Sequence, residues 1–450
     1  MKMVRLSDLA RRLGAPSPCL DGEITGFCVD SRQVRPGDLF VALRGERHDG
    51  HDFIADVVRQ GASAVIASKN VEAAVPVIRV DDTVAALGEL ALLWRNRFNV
   101  PLIAVAGSNG KTTVKEMLRE ICECAAPDCV LATRGNLNNH IGVPLTLGRL
   151  TEAHRYAVIE IGANGPNEIA HLARISQPGL GLITNAGHDH VAGFGGPEGA
   201  ARANGEMFAV MPADRCAVLN ADDPCFPIWK KQAGNRPIIR FGLDCPDAEV
   251  HGEWKPLPTG GMLSISSPWG DLSVELAVMG RHNGLNALAA AAATLVLGIS
   301  TQAIKEGLIR MRPISGRLQV LTGLKGSRII DDSYNANPSS LDAALQILTE
   351  MAGEKVLVLG DMGEMGDTAG HWHAWAGRRA RESGVNLLFA CGDLSRIAVE
   401  AFGQGALHFE SSEALAVALR KCLHDRLTVL VKGSRFMRME RVVESVTVAS

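Results

Sequence analysis

Short apolar runs alternate along the chain with polar or glycine-rich loops. Four of these runs are followed by a loop glycine or a polar residue: 102–106, 156–159, 180–184 and 217–219. Near-continuous apolar strands that alternate with helices are typical of a parallel sheet covered on both faces. Because ligands collect at the carboxyl ends of such strands, we expect the chemistry at the residues that follow these runs.

The pattern divides the chain into three α/β domains. Residues 1–82 mix short strands, helices and turns, and predict a small domain. Residues 83–313 predict a central domain with the parallel sheet, interrupted at 244–276 by an irregular or hairpin insertion. Residues 314–450 contain further apolar runs at 356–359, 387–390 and 428–431 and predict a second doubly wound, Rossmann-like domain. No G-x-G-x-x-G follows its first strand, so a nicotinamide cofactor is not supported.

Composition narrows the possible partners. The 450 residues carry a net charge of −3 with no basic stripe, which argues against a nucleic-acid partner. The most membrane-like run, 285–299, is short and broken by Asn286 and Gly298, so it predicts a buried helix and no membrane partner. The N-terminus lacks the apolar core of a signal peptide, and the ten cysteines show no paired metal spacing. We therefore expect a cytoplasmic protein with reduced thiols.

The strongest motif directly follows the run 102–106 and opens a helix. It comprises Gly107, Ser108, Asn109, Gly110, Lys111, Thr112 and Thr113. Small residues allow backbone N–H groups to surround phosphate oxygens, and the helix N-terminus adds a partial positive charge. Lys111 can reach terminal phosphates and Thr112 can bind Mg²⁺, so the loop predicts ATP and Mg²⁺ as cofactors.

This loop resembles the phosphate loop of the Mur ligases and folylpolyglutamate synthetases. Four further segments resemble the Mur ligase that adds D-alanyl-D-alanine to a UDP-N-acetylmuramoyl-tripeptide: 136–144, 160–164, 331–338 and 360–366. The Asp-Asn-Pro-Arg signature of the member that adds diaminopimelate or lysine is absent. The resemblance implies an ADP-forming ligase that acts as a monomer on these two small substrates through an acyl phosphate.

A metal site is implied by the same resemblance. Glu160, at a strand's end, and Thr112 supply the hard oxygens that Mg²⁺ prefers, and His190 matches a ligand of a second Mg²⁺. His188 departs from the family pattern, and we do not expect it to bind the metal. Asn204 departs from the family, since most relatives carry a carbamoylated lysine there, and Arg202 cannot replace that group. Without the resemblance, Glu160 would read as an ordinary exposed strand-end residue.

The resemblance also assigns the nucleotide and substrate groups. It places His282, Asn283 and Asn286 at the adenine, Arg317 at the γ-phosphate and Asp332 at the ribose, although the two asparagines would also suit a helix cap. It implies substrate contacts for Ser31, Arg32, Gly45, Asp49, His51, Asn136, Asn138, Asn139, Tyr334, Asn335, Lys432 and Ser434. Lys432 and Arg435 would otherwise read as a solvated pair, and His371 and His373 as solvated or capping residues.

The sequence leaves two alternative functions open. One is a ligase with another amino-acid or polyglutamate substrate, and the other is a nucleotide-binding scaffold descended from such ligases. A scaffold would be expected to lose part of the set Lys111, Glu160, His190, Arg317 and Asp332, all of which are present. The third residue of the tripeptide, lysine or diaminopimelate, is not determined by the sequence.

Overall fold

The computed structural model of the protein describes residues 4–16, 21–188 and 191–448. In its first part the helices are α1 (Leu6–Arg12) and α2 (Ile54–Arg59), the latter preceded by the 3-10 turn Gly50–Phe53. The strands are β1 (Val4–Arg5), β2 (Glu23–Ile24), β3 (Gly26–Cys28), β4 (Asp38–Val41), β5 (Ala64–Ala67) and β6 (Val77–Arg79). β3 to β6 form a parallel sheet in chain order, and β1 pairs with β2.

The middle part is built on one large sheet. Its strands are β7 (Leu102–Ala106), β8 (Val130–Ala132), β9 (Tyr156–Glu160), β10 (Leu180–Ile183), β11 (Cys216–Asn220), β12 (Ile238–Gly242), β13 (Val250–Leu257), β14 (Gly260–Ser266) and β15 (Leu272–Leu276). The order is β15-β14-β13-β12-β11-β10-β7-β9-β8, parallel from β13 to β8. β13, β14 and β15 are antiparallel neighbours, so the insertion predicted at 244–276 is a hairpin extension of this sheet.

Helices cover both faces of this sheet. They are α3 (Thr83–Arg95), α4 (Lys111–Ala125), α5 (Gly142–Leu147), α6 (Glu168–Ser176), α7 (Val191–Phe194), α8 (Pro197–Asn204), α9 (Met207–Val210), α10 (Phe226–Ala233), α11 (Arg281–Val296) and α12 (Thr301–Arg310). α11 is the buried helix predicted from its apolar run. Within the described ranges, no helix is long and apolar enough to cross a membrane.

The last part contains a second sheet. Its strands are β16 (Gln319–Thr322), β17 (Arg328–Asp332), β18 (Glu354–Gly360), β19 (Leu387–Cys391), β20 (Ala406–Phe409) and β21 (Leu427–Lys432). They lie in the order β16-β17-β21-β18-β19-β20 and are parallel except for β16. The helices are α13 (Pro338–Glu350), α14 (Ala369–Glu382), α15 (Ser395–Phe402), α16 (Ser412–Cys422) and α17 (Glu440–Val446). Asn337, at the start of α13, and Arg317, before β16, contact the phosphate loop.

Candidate functional site

The phosphate loop joins β7 to the start of α4 and passes close to its neighbours. Gly107 has φ +132°, and a Cβ there would lie 2.0 Å from the Thr184 hydroxyl. Gly110 has φ +82°, and a Cβ there would lie 2.4 Å from Asn286 Oδ1. Both positions require glycine, because any side chain would be strained and would collide.

Residues that follow β10 hold this loop. The Asn109 N–H donates to Asn185 Oδ1 at 2.9 Å, and the Asn109 carbonyl accepts from Asn185 Nδ2 at 3.0 Å and from the Thr184 hydroxyl at 2.7 Å. The Ser108 hydroxyl accepts from the N–H of Gly187 at 2.8 Å. Thr184, Asn185 and Gly187 are therefore structural parts of the site that the motif alone did not identify as such.

Lys111 folds back over the loop. Its ammonium donates to the carbonyls of Gly107 at 2.6 Å and Ser108 at 3.0 Å. The side chain stands at the N-terminus of α4, where backbone N–H groups and the helix dipole favour an anion. The loop thus gathers positive charge at one point, as binding of phosphate groups requires.

Glu160 lies beside the loop, at the end of β9, and is 2% exposed. Its Oε1 accepts from Asn138 Nδ2 at 2.7 Å, whereas Oε2 is buried and makes no hydrogen bond with the described residues. A buried carboxylate oxygen without a partner is costly unless a cation or another donor meets it. Together with the Thr112 hydroxyl this donor set fits Mg²⁺, which prefers hard oxygen ligands.

His190, the remaining predicted metal ligand, lies outside the described residues. Among the residues that are described, no group of three or more His, Cys, Asp or Glu side chains is arranged to hold a metal. Mg²⁺ bound with ATP does not need such a group, because phosphate oxygens and water complete its shell.

Two contacts join the loop to the C-terminal part. Arg317 Nη2 donates to the Thr112 hydroxyl at 3.0 Å, and its guanidinium lies 4.4 Å from the centre of the Tyr334 ring. Asn337 Nδ2 donates to Asn109 Oδ1 at 2.9 Å, while Asn337 Oδ1 caps α13 by accepting from the Ser340 N–H. Arg317 therefore reaches the loop, while its contact with a γ-phosphate stays a prediction, and Asn337 is a contact that was not predicted.

The residues predicted at the adenine start α11. Asn283 Nδ2 donates to the carbonyl of Met279 at 2.8 Å, and Asn286 Nδ2 donates to Asn283 Oδ1 at 3.1 Å. Asn286 Oδ1 faces Gly110 of the phosphate loop. Burial and the neighbouring positive charge of Lys432 lower the pKa of His282 to about 4, so its imidazole is neutral near pH 7.

Asp332 and Lys432 form a buried ion pair between the ends of β17 and β21. Lys432 is 1% exposed and also donates to the carbonyl of Asn335 at 3.0 Å. Burial raises the pKa of Asp332 above its ordinary value, against the opposing effect of Lys432. The alternative that Lys432 is a solvated surface residue is wrong, and both charged groups already have protein partners.

Several predicted substrate residues hold the backbone. The Ser434 hydroxyl accepts from the N–H of Gly363 at 2.8 Å and so joins β21 to the loop after β18. Asn139 Oδ1 accepts from the N–H of Gly142, the first residue of α5, at 2.8 Å. Asn136 and Asn335 are exposed and close to these elements.

The N-terminal loop, residues 44–51, contains the predicted substrate residues Gly45, Asp49 and His51. His51 is buried; its Nδ1 lies 2.5 Å from Asp49 Oδ1 and its Nε2 accepts from the Ser68 N–H at 3.0 Å. Lys69 donates to the other Asp49 oxygen at 2.6 Å. These bonds hold the pKa of Asp49 below its ordinary value, Lys69 contributing most. Asp49 and His51 therefore shape the loop.

The remaining predicted residues of this part are less enclosed. The N–H of Gly45 donates to the carbonyl of His48 at 2.9 Å, which closes the tip of the N-terminal loop. Arg32 is exposed and pairs with Asp30 at 2.8 Å, and Ser31 lies between them in the chain. Arg32 is thus accessible to an anionic ligand.

His188 and His373 contact residues of the C-terminal part. The centre of the His188 ring lies 4.6 Å from that of Trp372. The backbone N–H of His188 donates to the Ser339 hydroxyl at 3.2 Å. His373 is fully buried, and its Nε2 accepts from the Met362 N–H at 3.0 Å. The interpretation of His373 as a solvated residue is therefore wrong, because its buried ring holds the loop after β18 from within the core.

Comparison with known proteins adds an independent line of evidence. The chain matches the family descriptions "Mur ligase family, catalytic domain" over residues 23–95, "Mur ligase middle domain" over 105–294 and "Mur ligase, glutamate ligase domain" over 316–435. It is 38% identical over 449 residues to the UDP-N-acetylmuramoyl-tripeptide--D-alanyl-D-alanine ligase of Escherichia coli (strain K12), covering 99% of this chain and 98% of the relative.

Solved structures agree. MurF from Acinetobacter baumannii superposes with a TM-score of 0.90 at 34% identity, over 99% of this chain and 98% of that one. MurF ligase from Thermotoga maritima in complex with ADP gives a TM-score of 0.83 at 28% identity, over 93% of this chain and 96% of that one. The ligands and activities in these names belong to those proteins.

Proposed function

Because the chain belongs to the Mur ligase family, we propose that it is an ATP- and Mg²⁺-dependent ligase that joins D-alanyl-D-alanine to UDP-N-acetylmuramoyl-tripeptide in peptidoglycan precursor synthesis. The observation that carries the proposal is the end-to-end similarity to relatives of that name. The phosphate loop with Lys111 supports the use of ATP, and the unpaired oxygen of Glu160 supports Mg²⁺.

The reaction has two steps. A carboxylate oxygen of the tripeptide attacks the γ-phosphorus, the bond from that phosphorus to the β–γ bridging oxygen breaks, and ADP leaves. The free amine of D-alanyl-D-alanine then attacks the carbonyl carbon of the acyl phosphate; phosphate departs with the C–O electron pair, and the amine nitrogen loses a proton. The protein's contribution is to place the reactants and to stabilise charge.

Lys111 and Arg317 are the cations proposed for the transferring phosphoryl group. Both already touch the loop, Lys111 through its carbonyls and Arg317 through Thr112. Glu160 and Thr112, with His190 at a second position, would hold Mg²⁺, which neutralises developing charge on phosphate oxygens. Because Arg317 comes from the C-terminal part, approach of the two parts completes the site.

The other assignments remain parts of the proposal. His282, Asn283 and Asn286 would face the adenine, where neutral rings and amides suit its edge. Asp332 would accept from the ribose once ligand is bound, next to Lys432. Tyr334, Lys432 and Ser434 would border the dipeptide, and the N-terminal loop with Arg32 would meet the UDP group.

We further infer the wider setting of this reaction. The protein would act as a cytoplasmic monomer on small molecules, without nucleic-acid or membrane partners. Residues 1–82 would bind the UDP-linked substrate, 83–313 ATP and 314–450 the dipeptide. The small net charge of −3 supports recognition of anionic ligands by local groups and not by a global field.

ADP release by the purified protein tests this function. Reactions contain ATP and Mg²⁺ with UDP-N-acetylmuramoyl-tripeptide ending in lysine or diaminopimelate, and with D-alanyl-D-alanine, D-glutamate or diaminopimelate as the amine. We expect turnover only with D-alanyl-D-alanine, and omission of either substrate should stop it. A separate reaction replaces the UDP-linked substrate with a folate and glutamate. Turnover with another amine or with the folate, and none with D-alanyl-D-alanine, would exclude the proposal.

A further inference from the structure

Asn204 makes a long-range contact with the phosphate loop. It is the last residue of α8 and is 8% exposed. Its Oδ1 accepts a hydrogen bond from the backbone N–H of Gly107 at 3.1 Å, across 97 positions in the chain. Among the described residues, Asn204 is the hydrogen-bond acceptor for that N–H. Gly107 directly follows the last residue of β7.

The end of α8 is also held by two side chains of α10. Trp229 Nε1 donates to the carbonyl of Ala201 at 2.9 Å, and Gln232 Nε2 donates to the carbonyl of Arg202 at 2.8 Å. The Arg202 carbonyl lies in the last turn, where a helix leaves carbonyls without intrahelical partners, and the Ala201 carbonyl also accepts from the Gly205 N–H at 3.0 Å. The Asn204 amide is therefore presented to the loop from a rigid support.

Gly107 connects Asn204 to Lys111. The N–H of Gly107 meets Asn204, and its carbonyl accepts from the Lys111 ammonium at 2.6 Å. Its φ of +132° is available to glycine but strained for other residues, so its backbone torsions are unusually free. The Gly107 N–H belongs to the Ala106–Gly107 peptide, whereas the carbonyl that Lys111 contacts belongs to the next peptide, and the φ and ψ torsions of Gly107 join the two. Without the acceptor at Asn204, the first peptide is still held at the Ala106 carbonyl by the Thr184 N–H at 3.0 Å, but its N–H side loses its anchor. A shift of that peptide would pass through the torsions of Gly107 to the carbonyl that Lys111 contacts.

We infer that Asn204 is a positioning residue for nucleotide binding: it fixes the start of the phosphate loop through the Gly107 N–H and thereby the place of the Lys111 ammonium. This inference rests on the proposed function only in taking the loop as the nucleotide site. In this role the side-chain oxygen of Asn204 serves the loop backbone.

The test compares Asn204→Leu, which removes the acceptor while keeping the number and branching of side-chain heavy atoms, with the wild-type protein. Loss of a buried backbone partner should weaken ADP binding and raise KM for ATP by about tenfold, while KM for D-alanyl-D-alanine changes less than twofold. Amide hydrogen exchange of a peptide covering 105–113 should become faster. Gln232→Leu is the matched control, because it loosens the same end of α8 without touching the loop.

The outcomes separate cleanly. If Asn204→Leu does not fold, Asn204→Ser takes its place, since the shorter hydroxyl cannot reach Gly107. Unchanged ADP affinity and unchanged loop exchange in the variant would overturn the inference, as would an equal effect in Gln232→Leu. A wild-type protein that binds no ADP and releases none would instead defeat the proposed function, before any variant is considered.

Discussion

The phosphate loop and the N-terminal loop of residues 44–51 are both proposed to meet phosphate groups, yet they are held in different ways. Side chains 76, 97 and 228 positions away in sequence bond to the phosphate loop. The N-terminal loop is held through Asp49 and His51 by residues only 17 and 20 positions further along the chain. The first loop therefore depends on the assembly of several elements, whereas the second is shaped almost locally.

This difference has a functional meaning. One of the distant partners of the phosphate loop, Asn337, belongs to the C-terminal part, and Arg317 from the same part contacts Thr112. The contacts of the loop therefore depend on how close the central and C-terminal parts are. This dependence suits a site that must exclude water from an acyl phosphate. The N-terminal loop has no such link among the described hydrogen bonds and suits a substrate anchor.

The largest effect is expected from the phosphate site itself. Lys111→Ala and Glu160→Gln should each reduce kcat by ~10²–10³, because each removes a charge that stabilises phosphoryl transfer. Neither side chain is part of an apolar cluster, so thermal unfolding should stay close to that of the wild-type protein. Steady-state ADP release checks this, and a kcat within threefold of wild type in either variant would refute the site.

The contact between the two parts should give a smaller effect. Asn337→Asp keeps an oxygen to cap α13 but cannot donate to Asn109, and its carboxylate would face the Asn109 oxygen. We expect KM for ATP to rise about tenfold and Tm to fall, because Asn337 is buried and its new charge would lack a donor at Asn109. Ser340→Ala is the control: it removes one half of the capping box and leaves the Asn109 contact. Equal KM values in the two variants would argue against the contact.

The N-terminal loop should respond on its own substrate only. His51→Ala leaves the Ser68 N–H without its partner and should lower stability by about 1–3 kcal/mol. It should raise KM for the UDP-linked substrate several-fold without altering KM for ATP. Lys69→Met, which removes an exposed partner of Asp49, should have little effect. A parallel rise in KM for ATP would show that the two loops are not independent.

The contrast between local and long-range contacts also explains which features of the fold and the site could be predicted from the sequence. Strand ends and the phosphate loop could be predicted, because apolar runs and glycine positions are local signals; the run 102–106 coincides with β7. The sequence allowed Lys432 to be interpreted as a surface residue. It is buried because β21 lies between β17 and β18 in its sheet, and the residues around Lys432 do not reveal that strand order. The partners of Asn109 and Gly107 were missed for the same reason, since each depends on contacts between distant segments.

The last prediction is that bicarbonate has no effect on the rate of ADP release. Most relatives are expected to carry a carbamoylated lysine where this chain has Asn204. A carbamate forms when CO₂ reacts with a neutral amine, whereas an amide nitrogen is not nucleophilic because its lone pair is delocalised into the carbonyl. Asn204 therefore cannot be carbamoylated, and its oxygen accepts from the Gly107 N–H.

We accordingly expect the rate of ADP release to stay the same when CO₂ is depleted and bicarbonate is restored. Asn204→Lys sharpens the comparison. A lysine can be carbamoylated but cannot accept from Gly107 as the amide does, so this variant should show both a raised KM for ATP and a rate that responds to bicarbonate. A bicarbonate-dependent rate in the wild-type protein would contradict the prediction, because a carbamate would then have to form on another residue that serves the phosphate loop.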